Sequence, residues 1–434
     1  MPSVQTGRSL RSWGGYPRVS SQSVVRVDRT TANWAVLKPP VLPRGQGRSY
    51  GDVCLNEGGT LLLTEGLNRI LAFDEQSGVI DCESGVTLQD LIGTCVPKGW
   101  FLAVTPGTKH ATVGGAIAND VHGKNHPTAG SFGHHLLELE LLRSDGSQIV
   151  CSPTRETEWF RATVGGLGLT GLVTHAKIRL RRIGSTLMSS ETVRFEGIAE
   201  CLSLFDDVPA QEYRLAWIDC LHKRRRGCFV RGDHMPDGGF TWAHKRTAQL
   251  PFRLPNFALN PVSVRVFNWV YNLMAPRPGE ARPAGFEPFF YKLDALGHWY
   301  LLYGSRGFLQ YQWVVPRASA AGVFGEITSL IERRGILSFL TTVKVFGDIP
   351  STGWLSFARP GVTVTMDFPM NGNALLAALD DADKVVASVE GAVNPSKDAR
   401  MSPVSFRSFF PNYGVFSHYI DPLFSSSFWR RVMG

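Results

Sequence analysis

The stretch VGGAIANDVHGKNHPTAGSFG, residues 113–133, combines many glycines with side chains that can transfer protons. Five glycines and three alanines share it with Asp120, His122, Lys124 and His126. Histidine, lysine and aspartate are common general acids and bases. A glycine in ordered structure costs roughly 0.5–1 kcal/mol relative to alanine, so such a density needs a local reason, for example a ligand that lies against the backbone. The stretch therefore predicts proton chemistry beside a closely bound ligand.

A second glycine-rich loop, PRGQGRSYGD, occupies residues 43–52, and the first one begins upstream as PGTKHATVGG, residues 106–115. Both follow short apolar strands, and successive backbone amides in such turns form anion-binding nests that suit a pyrophosphate. The two loops together predict a long, bent cofactor between two lobes. GLGLTG at 166–171 fits the dinucleotide fingerprint, but a helix-like segment precedes it and a strand-like segment follows. Because a Rossmann site needs the reverse order, we do not expect one.

The elements that must position these loops are short strands and helices. Residues 60–100 predict strand, turn, strand, turn and then a helix capped by Thr87. Residues 186–391 contain longer strand candidates (EYRLAWIDCL, GFLQYQWVVP, GVTVTMDFP) and two amphipathic helices, near 317–334 and 372–390. A section rich in proline and aromatic residues, 250–288, lies between the first two of these strand candidates. Its periodicity is weak, which predicts a lid or mobile loop. Contact with a lipid tail or membrane surface, or plain packing against the rest of the chain, are the alternatives for it.

Composition narrows the classes of protein. The 434 residues predict two domains, and the odd number of scattered cysteines, seven, predicts reduced thiols and no metal site. No apolar run is long enough for a membrane span and the first residues lack the centre of a signal peptide, so we expect a cytoplasmic protein. The net charge of +8 includes the cluster HKRRRG, residues 222–227, which predicts either a phosphate-binding patch or a solvated hairpin tip. No nucleic-acid-binding signature accompanies it, so we expect no nucleic-acid partner.

The glycine-rich loops described above, with several shorter motifs, resemble those of a known family, the FAD-dependent oxidases of the vanillyl-alcohol oxidase / p-cresol methylhydroxylase (PCMH) fold. Within that family it is similar to the oxidases of polyprenylphosphoryl-β-D-ribose. The resemblance is carried, in the family's order, by RGQGRSYGD, PGTKHATVGGAIANDVHGKNHPTAGSFG, ATVGGLGLTGLV, AWIDCL, LQYQWVVP, VKVFG, MDFP and KDAR. It implies an α+β fold: a two-lobed FAD-binding PCMH-type domain at 1–185, completed by 392–434, and a substrate domain at 186–391 with an antiparallel sheet flanked by helices.

The resemblance also implies the residues that contact FAD. They are Arg44, Gly45, Gln46, Gly47, Arg48, Ser49, Tyr50, Gly51, Gly107, Thr112, Val113, Gly114, Gly115, Asn119, Asp120, Val121, His122 and Val173. Relatives with covalently bound FAD often carry a histidine in the first loop. RGQGRSYGD has neither histidine nor cysteine, so we expect non-covalent FAD.

For the reaction, the resemblance implies Lys397, His122 and Tyr50 as catalytic residues. Lys397 would deprotonate a sugar hydroxyl, which needs a depressed pKa, or only orient it. The substrate would be bound by Lys397 together with Lys124, Trp217, Tyr291, Gln310, Gln312, Lys344, Thr363 and Thr365. Trp217 and Tyr291 fit equally well as core aromatics.

The implied activity is oxidation of the 2′-hydroxyl of a polyprenylphosphoryl ribose to a ketone, the first half of epimerisation to the arabinose form for cell-wall synthesis. A separate NAD(P)H-dependent ketoreductase would complete it, a quinone or oxygen would accept the electrons, and peripheral contact with the inner membrane face is an option. Thr363 and Thr365 stand where mycobacterial members carry Asn and Cys, and Asn394 replaces a tyrosine. These departures leave open an oxidase of a soluble polyol, aldonolactone or nucleoside sugar. The retained catalytic residues argue against a flavoprotein without activity.

Overall fold

Two sheets hold most strands of the first 180 residues. The computed structural model describes residues 5–6, 10–27, 37–206, 211–242, 247–274 and 282–434. A four-stranded sheet has the order β1-β2-β4-β3, formed by β1 (Gln5–Thr6), β2 (Ser23–Arg26), β3 (Val41–Arg44) and β4 (Thr60–Leu63). An antiparallel five-stranded sheet has the order β5-β6-β10-β8-β9, formed by β5 (Ile70–Asp74), β6 (Val79–Glu83), β8 (Leu136–Leu142), β9 (Gln148–Cys151) and β10 (Leu172–Arg179).

Short helices connect these strands and present the glycine-rich loops. They are α1 (Leu88–Cys95), α2 (Val113–Ala118), α3 (His126–Ala129) and α4 (Thr157–Thr163), with a small ribbon of β7 (Trp100–Phe101) and β11 (Arg181–Arg182). The predicted cap of α1 is confirmed: Thr87 and Asp90 bond each other's backbone N–H reciprocally, as a capping box does. The helix α4 before GLGLTG and the strand β10 after it confirm the order that excludes a Rossmann site.

An eight-stranded antiparallel sheet dominates the rest of the chain. Its order is β16-β12-β14-β13-β19-β20-β18-β21, formed by β12 (Leu187–Glu196), β13 (Tyr213–Ile218), β14 (Arg226–His234), β16 (Arg282–Gly285), β18 (Phe308–Val315), β19 (Leu340–Phe346), β20 (Gly361–Pro369) and β21 (Ala392–Val393). One face packs against α5 (Gly197–Asp206), α8 (Ala320–Arg333) and α9 (Asn373–Ala387) through a large apolar core. Alternation along β20 buries Val364 and Met366 in that core and turns Thr363, Thr365 and Asp367 to the opposite face.

The section predicted as a lid or mobile loop contains regular structure, and that prediction is wrong in this respect. Helix α6 (Pro261–Met274) and strand β16 lie in it, and α7 (Phe286–Phe290) begins at its end. A short pair of β15 (Ala248–Gln249) and β17 (Leu296–Gly297) flanks it. The exposed side of α6 is apolar, so the sequence lacks the polar outer face by which a surface helix is usually recognised. Residues 243–246 and 275–281 lie outside the described part. The HKRRRG cluster forms the tip of the β13–β14 hairpin, where Arg224 and Arg225 pair with glutamates.

The last helices return to the first sheet. They are α10 (Pro403–Phe409), α11 (Tyr413–Ser417) and α12 (Ser427–Met433). Val41 forms a β-bridge with Phe424, and the Ser427 N–H donates to the Leu55 carbonyl at 2.9 Å. The domain boundaries inferred from the sequence stay a prediction. Within the described ranges, no helix has both the length and the apolar character that a bilayer crossing demands.

Candidate active site: a cleft beside the large sheet

A cleft lies where the glycine-rich loops meet. Ligand and cofactor sites are concave and carry a few convergent polar groups, and the loops around this cleft supply such groups. Of the residues predicted to contact FAD, those that line it are Arg44, Gly45, Gln46, Gly47, Arg48, Ser49, Thr112, Gly114, Gly115, Asn119, Val121 and Val173. Lys397 lines it as well, so the structure brings the proposed base to the wall of the same cleft.

Other lining residues were missed by sequence reasoning. They include Ser84, Thr108, Ser396 and the loop from Leu167 to Leu172. That last loop belongs to GLGLTG, which we set aside as a dinucleotide fingerprint. The signal in the sequence was the density of glycines in VGGLGLTG, and the structure places Gly165 and Gly168 at φ above +70°.

Close backbone approach explains two of the glycines. A Cβ on Gly45 would lie 2.2 Å from Thr112 Oγ1, so the two nests touch only because position 45 is glycine. A Cβ on Gly51 would lie 1.5 Å from the Asp398 carbonyl oxygen, next to Lys397. These contacts hold the loop of residues 43–52 against the segments that complete the cleft.

The residues of the cleft fit an FAD. Ser84 Oγ, Asn119 Oδ1 and Arg48 Nε are buried and have no hydrogen-bond partner among the described protein atoms. Buried polar groups are normally satisfied, so these three atoms indicate a polar ligand. A pyrophosphate against the nests and a flavin ring reaching toward Lys397 would meet these requirements.

Two predicted cofactor contacts have side chains occupied elsewhere. The Asp120 carboxylate accepts from Ser131 Oγ at 2.9 Å, from Ser356 Oγ at 2.6 Å and from the Gly133 N–H at 2.9 Å. Arg44 donates to the carbonyls of Cys54 and Arg11, both at 2.7 Å. These two side chains stabilise the loops by bonding to other parts of the chain. Only the backbone atoms of these residues would then be free to contact FAD. Six of the predicted FAD contacts do not line the cleft: Tyr50, Gly51, Gly107, Val113, Asp120 and His122.

The face of the large sheet opposite the helices, which we call the ligand face, collects polar side chains from four strands. In its register, Lys344 pairs with Thr363, Gln312 and Thr342 pair with Thr365, Gln310 pairs with Asp367, and Trp217 pairs with Thr342. Cross-strand partners point to the same side of a sheet. The register therefore places the predicted substrate residues Trp217, Gln310, Gln312, Lys344, Thr363 and Thr365 on one surface.

A hydrogen-bond chain orients His122 at this face. Asn394 Nδ2 donates to Gln312 Oε1 at 2.9 Å, and Gln312 Nε2 donates to His122 Nε2 and to Thr363 Oγ1, each at 3.1 Å. Burial, with the positive charges of Lys344 and Lys397 nearby, lowers the pKa of His122 well below its ordinary value. His122 is therefore neutral near pH 7, and its Nε2 is an acceptor.

Two lysines lie beside that histidine. Burial, and then the like charge of Lys344, lowers the pKa of Lys397 to about 7, while Asp367 partly opposes the shift. Burial lowers the pKa of Lys344 to about 8. Lys397 Nζ lies 4.0 Å from the centroid of the Tyr50 ring. A sizeable fraction of Lys397 is therefore neutral at pH 7, as a general base requires.

Tyr50 and Asp367 also lie close to Lys397. Gln310 Nε2 donates to Asp367 Oδ1 at 2.6 Å, and burial raises the pKa of Asp367 to about 6. Burial also raises the pKa of Tyr50 well above its ordinary value, so its hydroxyl stays protonated and can donate. The Tyr50 N–H donates to the Ser396 carbonyl at 2.9 Å, which fixes the tyrosine beside Lys397.

Three predicted substrate residues are engaged away from the cleft. Tyr291 is 2% exposed and its hydroxyl lies 2.7 Å from Thr105 Oγ1. Trp217 is on the ligand face but packs in a tilted arrangement against Tyr271 of α6, with ring centroids 4.7 Å apart. Lys124 donates to the Phe289 carbonyl, and burial lowers its pKa to about 7. The core interpretation fits Tyr291, and the roles of all three in substrate binding stay predictions.

Arg431 of α12, which no sequence pattern singled out, links the loop of Tyr50 to the loop of Lys397. It donates to both carboxylate oxygens of Asp52, at 2.9 and 2.7 Å, and to Asp398 Oδ2 at 2.9 Å. Asp52 follows Tyr50 by two positions, and Asp398 is the residue after Lys397. Arg431 thus holds the loops of Tyr50 and Lys397 at a fixed separation.

Comparison with known proteins agrees with this geometry. Residues 29–152 match the family model described as an FAD binding domain. The chain is 33% identical to the decaprenylphosphoryl-β-D-ribose oxidase of Mycolicibacterium smegmatis, over 90% of this chain and 89% of that one. It is 30% identical to an uncharacterised protein of Streptomyces coelicolor, over 80% of this chain and all of that one. The L-gulonolactone oxidase of mouse is 28% identical over 30% of this chain and 29% of its own.

Fold, cleft and relatives together define an FAD-dependent oxidoreductase that acts on CH–OH groups. Within that class, the chain belongs to the family of the decaprenylphosphoryl-β-D-ribose oxidases. The expected α+β fold, the FAD cofactor and the family inferred from the motifs are confirmed.

Proposed function

We propose that the enzyme oxidises the 2′-hydroxyl of a polyprenylphosphoryl-β-D-ribose to a ketone, as the first half of epimerisation to the arabinose form used in cell-wall synthesis. The observation that carries this proposal is Lys344, a half-buried lysine of the ligand face that lies near Lys397 and whose pKa of about 8 leaves it charged at pH 7. A substrate phosphate compensates this partly buried positive charge, whereas a neutral polyol does not. The similarity to the mycobacterial oxidase supports the same substrate class.

In this mechanism, the chain binds the sugar and takes its proton. FAD, when bound, supplies the two-electron oxidant for the C2′–H bond. Neutral Lys397 accepts the proton of the 2′-hydroxyl, and neutral His122 accepts a hydrogen bond through Nε2 from a neighbouring hydroxyl if Gln312 turns to the substrate. Lys344 remains charged and holds the phosphate. Tyr50 donates to the oxygen of the forming ketone.

The FAD is bound without a covalent link in this proposal. The only thiol that lines the cleft within the described residues is Cys54, and burial raises its pKa, so it is not a reactive thiolate. Acid precipitation should leave the yellow colour in the supernatant, for the wild type and for Cys54→Ser alike. Flavin that stays with the wild-type pellet would contradict this part of the proposal.

The same proposal includes the partners and the place of action. A separate NAD(P)H-dependent ketoreductase reduces the ketone from the other face, a quinone or oxygen reoxidises the flavin, and the enzyme works in the cytoplasm at the inner membrane face. These partners and this location are supported only by the proposed substrate class. A ketosugar must be reduced to complete the epimerisation, a reduced flavin needs an electron acceptor, and a lipid-linked sugar is found at a membrane.

The test is anaerobic mixing of the holoenzyme with a short-chain polyprenylphosphoryl ribose, and in parallel with free polyols, aldonolactones and nucleosides. We expect fast loss of the flavin absorbance with the lipid-phosphate sugar alone. Bleaching by a soluble sugar would move the assignment to the soluble-sugar oxidases, an alternative that the partial match to L-gulonolactone oxidase keeps in view. No bleaching with any of them would overturn the proposal.

A further inference from the structure

The outer side of α6 is apolar and exposed. Its residues recur at helical spacing and are 55–69% exposed: Val262, Val266, Trp269 and Leu273. Val264 and Asn268, on the opposite side of the helix, are buried at 1 and 2%. Among the residues that the structure describes, none covers this apolar stripe, which marks it as a surface for an external partner.

The inner side of α6 attaches it to the ligand face of the large sheet. Tyr271 contacts Trp217 with ring centroids 4.7 Å apart, and Asn268 Nδ2 donates to Asp219 Oδ1 at 2.7 Å. Phe267 packs on Phe339 at 5.0 Å. The helix therefore lies between one end of the substrate residues and the solvent.

The surroundings of the stripe are positively charged. Phe252 and Phe257, in the loop before α6, are 64 and 77% exposed. Residues 248–274 contain two arginines and no acidic residue. The exposed Arg253 of this loop lines an open pocket with Arg306, immediately beside Phe257. An apolar stripe with an arginine rim complements a lipid surface that carries anionic headgroups.

A second copy of the chain fits this surface less well. In a two-fold symmetric dimer the same patch faces itself, so each arginine rim would approach the other rim. Like charges brought together at an interface oppose association. Anionic phosphates remove that repulsion.

We propose that the outer stripe of α6, with Phe252, Phe257, Arg253 and Arg306, is a docking surface for an anionic lipid bilayer. The helix lies in the plane of the interface, with its apolar side among the acyl chains and the arginines at the phosphates. Its use rests on the proposed function, since a lipid-linked sugar could then enter beneath α6 without leaving the bilayer. Docking itself requires no substrate.

The first test measures co-sedimentation of the holoenzyme with vesicles of phosphatidylcholine, with and without phosphatidylglycerol. Trp269→Glu combined with Leu273→Glu should weaken binding to the anionic vesicles by roughly tenfold or more, because two charges enter the apolar interface. The matched control, Leu71→Glu with Val404→Glu, changes apolar side chains that are 46 and 78% exposed elsewhere, and should bind like the wild type. A wild type that does not sediment with anionic vesicles, or equal losses in both double variants, would overturn the proposal.

The second test separates charge and self-association from lipid insertion. Arg253→Gln with Arg306→Gln should weaken binding only when phosphatidylglycerol is present, and added salt should do the same to the wild type. If sedimentation velocity shows a wild-type dimer that Trp269→Glu with Leu273→Glu dissociates, α6 is a subunit interface and the proposal fails. Turnover of a water-soluble short-chain substrate should be equal in all variants. If the protein docks on vesicles but does not turn over this substrate, the result contradicts the proposed function and leaves the docking proposal intact.

Discussion

The cleft and the ligand face recognise their ligands by different means. The cleft is built from contiguous loops whose glycines leave backbone N–H groups available to a cofactor. The ligand face takes single polar side chains from strands far apart in sequence, such as Gln312, Lys344 and Thr363. Backbone recognition leaves a continuous motif in the sequence, whereas the second kind depends on sheet register. The cofactor is therefore easier to infer than the substrate.

The largest expected effect is the loss of Lys397, which lies between the two regions. Lys397→Ala should lower kcat roughly 10²–10⁴-fold, the contribution typical of a general base, while FAD stays bound. Lys384→Ala, which removes an exposed lysine of α9, is the matched control and should leave kcat unchanged. Stopped-flow flavin absorbance measures both. A kcat within threefold of wild type would remove Lys397 from the mechanism.

The second largest effect is expected from Arg431, which links the loop of Tyr50 to the loop of Lys397. Arg431→Gln leaves Asp52 and Asp398, whose side chains are 4 and 1% exposed, without their shared cation. Removing one partner of such a buried pair costs about 3–5 kcal/mol of unfolding free energy. Urea denaturation of the holoenzyme measures it.

The control for that experiment is the neighbouring Arg430→Gln. Arg430 donates to Asn56 Oδ1 and the Glu57 carbonyl and touches neither carboxylate. We expect a smaller loss from it. Equal losses would show that Arg431 contributes only general packing.

The contact at Gly51 tests the fit between the loops. Gly51→Ala places a methyl group against the Asp398 carbonyl and should cost about 1–3 kcal/mol of stability by overpacking. The displacement also separates Tyr50 from Lys397, so kcat should fall while the FAD affinity changes little. Gly325→Ala in α8 meets no atom within 4 Å and should be neutral or slightly stabilising. Unchanged kcat in Gly51→Ala would show that the separation of the loops is not critical.

The finest test concerns the charges that set the pKa of Lys397. Turnover requires the neutral amine, so kcat/KM, which reports the substrate-free enzyme, should rise with pH through about 7 and then level off. Lys344→Gln removes a like charge, so the pKa of Lys397 and the midpoint should move to higher pH. Asp367→Asn removes an opposite charge, so the midpoint should move to lower pH. Shifts of the same sign in both variants would contradict this assignment.

The sequence was sufficient for the strands, the cap at Thr87 and the two glycine-rich loops, because each depends on residues close together along the chain. The part of Arg431 was not predictable, since it bonds to residues more than 370 and about 30 positions away. Helix α6 was missed for a different reason: its outer residues are apolar where a surface helix is expected to be polar. The error in secondary structure falls on the surface that we propose to meet lipid.

The bond network around Arg431 has a consequence for biosynthesis. Arg44 and Arg431 are almost 390 positions apart, which is roughly 20–80 s of translation at 5–20 residues per second. The loop of residues 43–52 lacks Asp398 and Arg431 during that time, and β3 lacks its partner at Phe424. Stable insertion of the flavin is therefore a late step, and the supply of free FAD when translation ends matters more than its supply at the start.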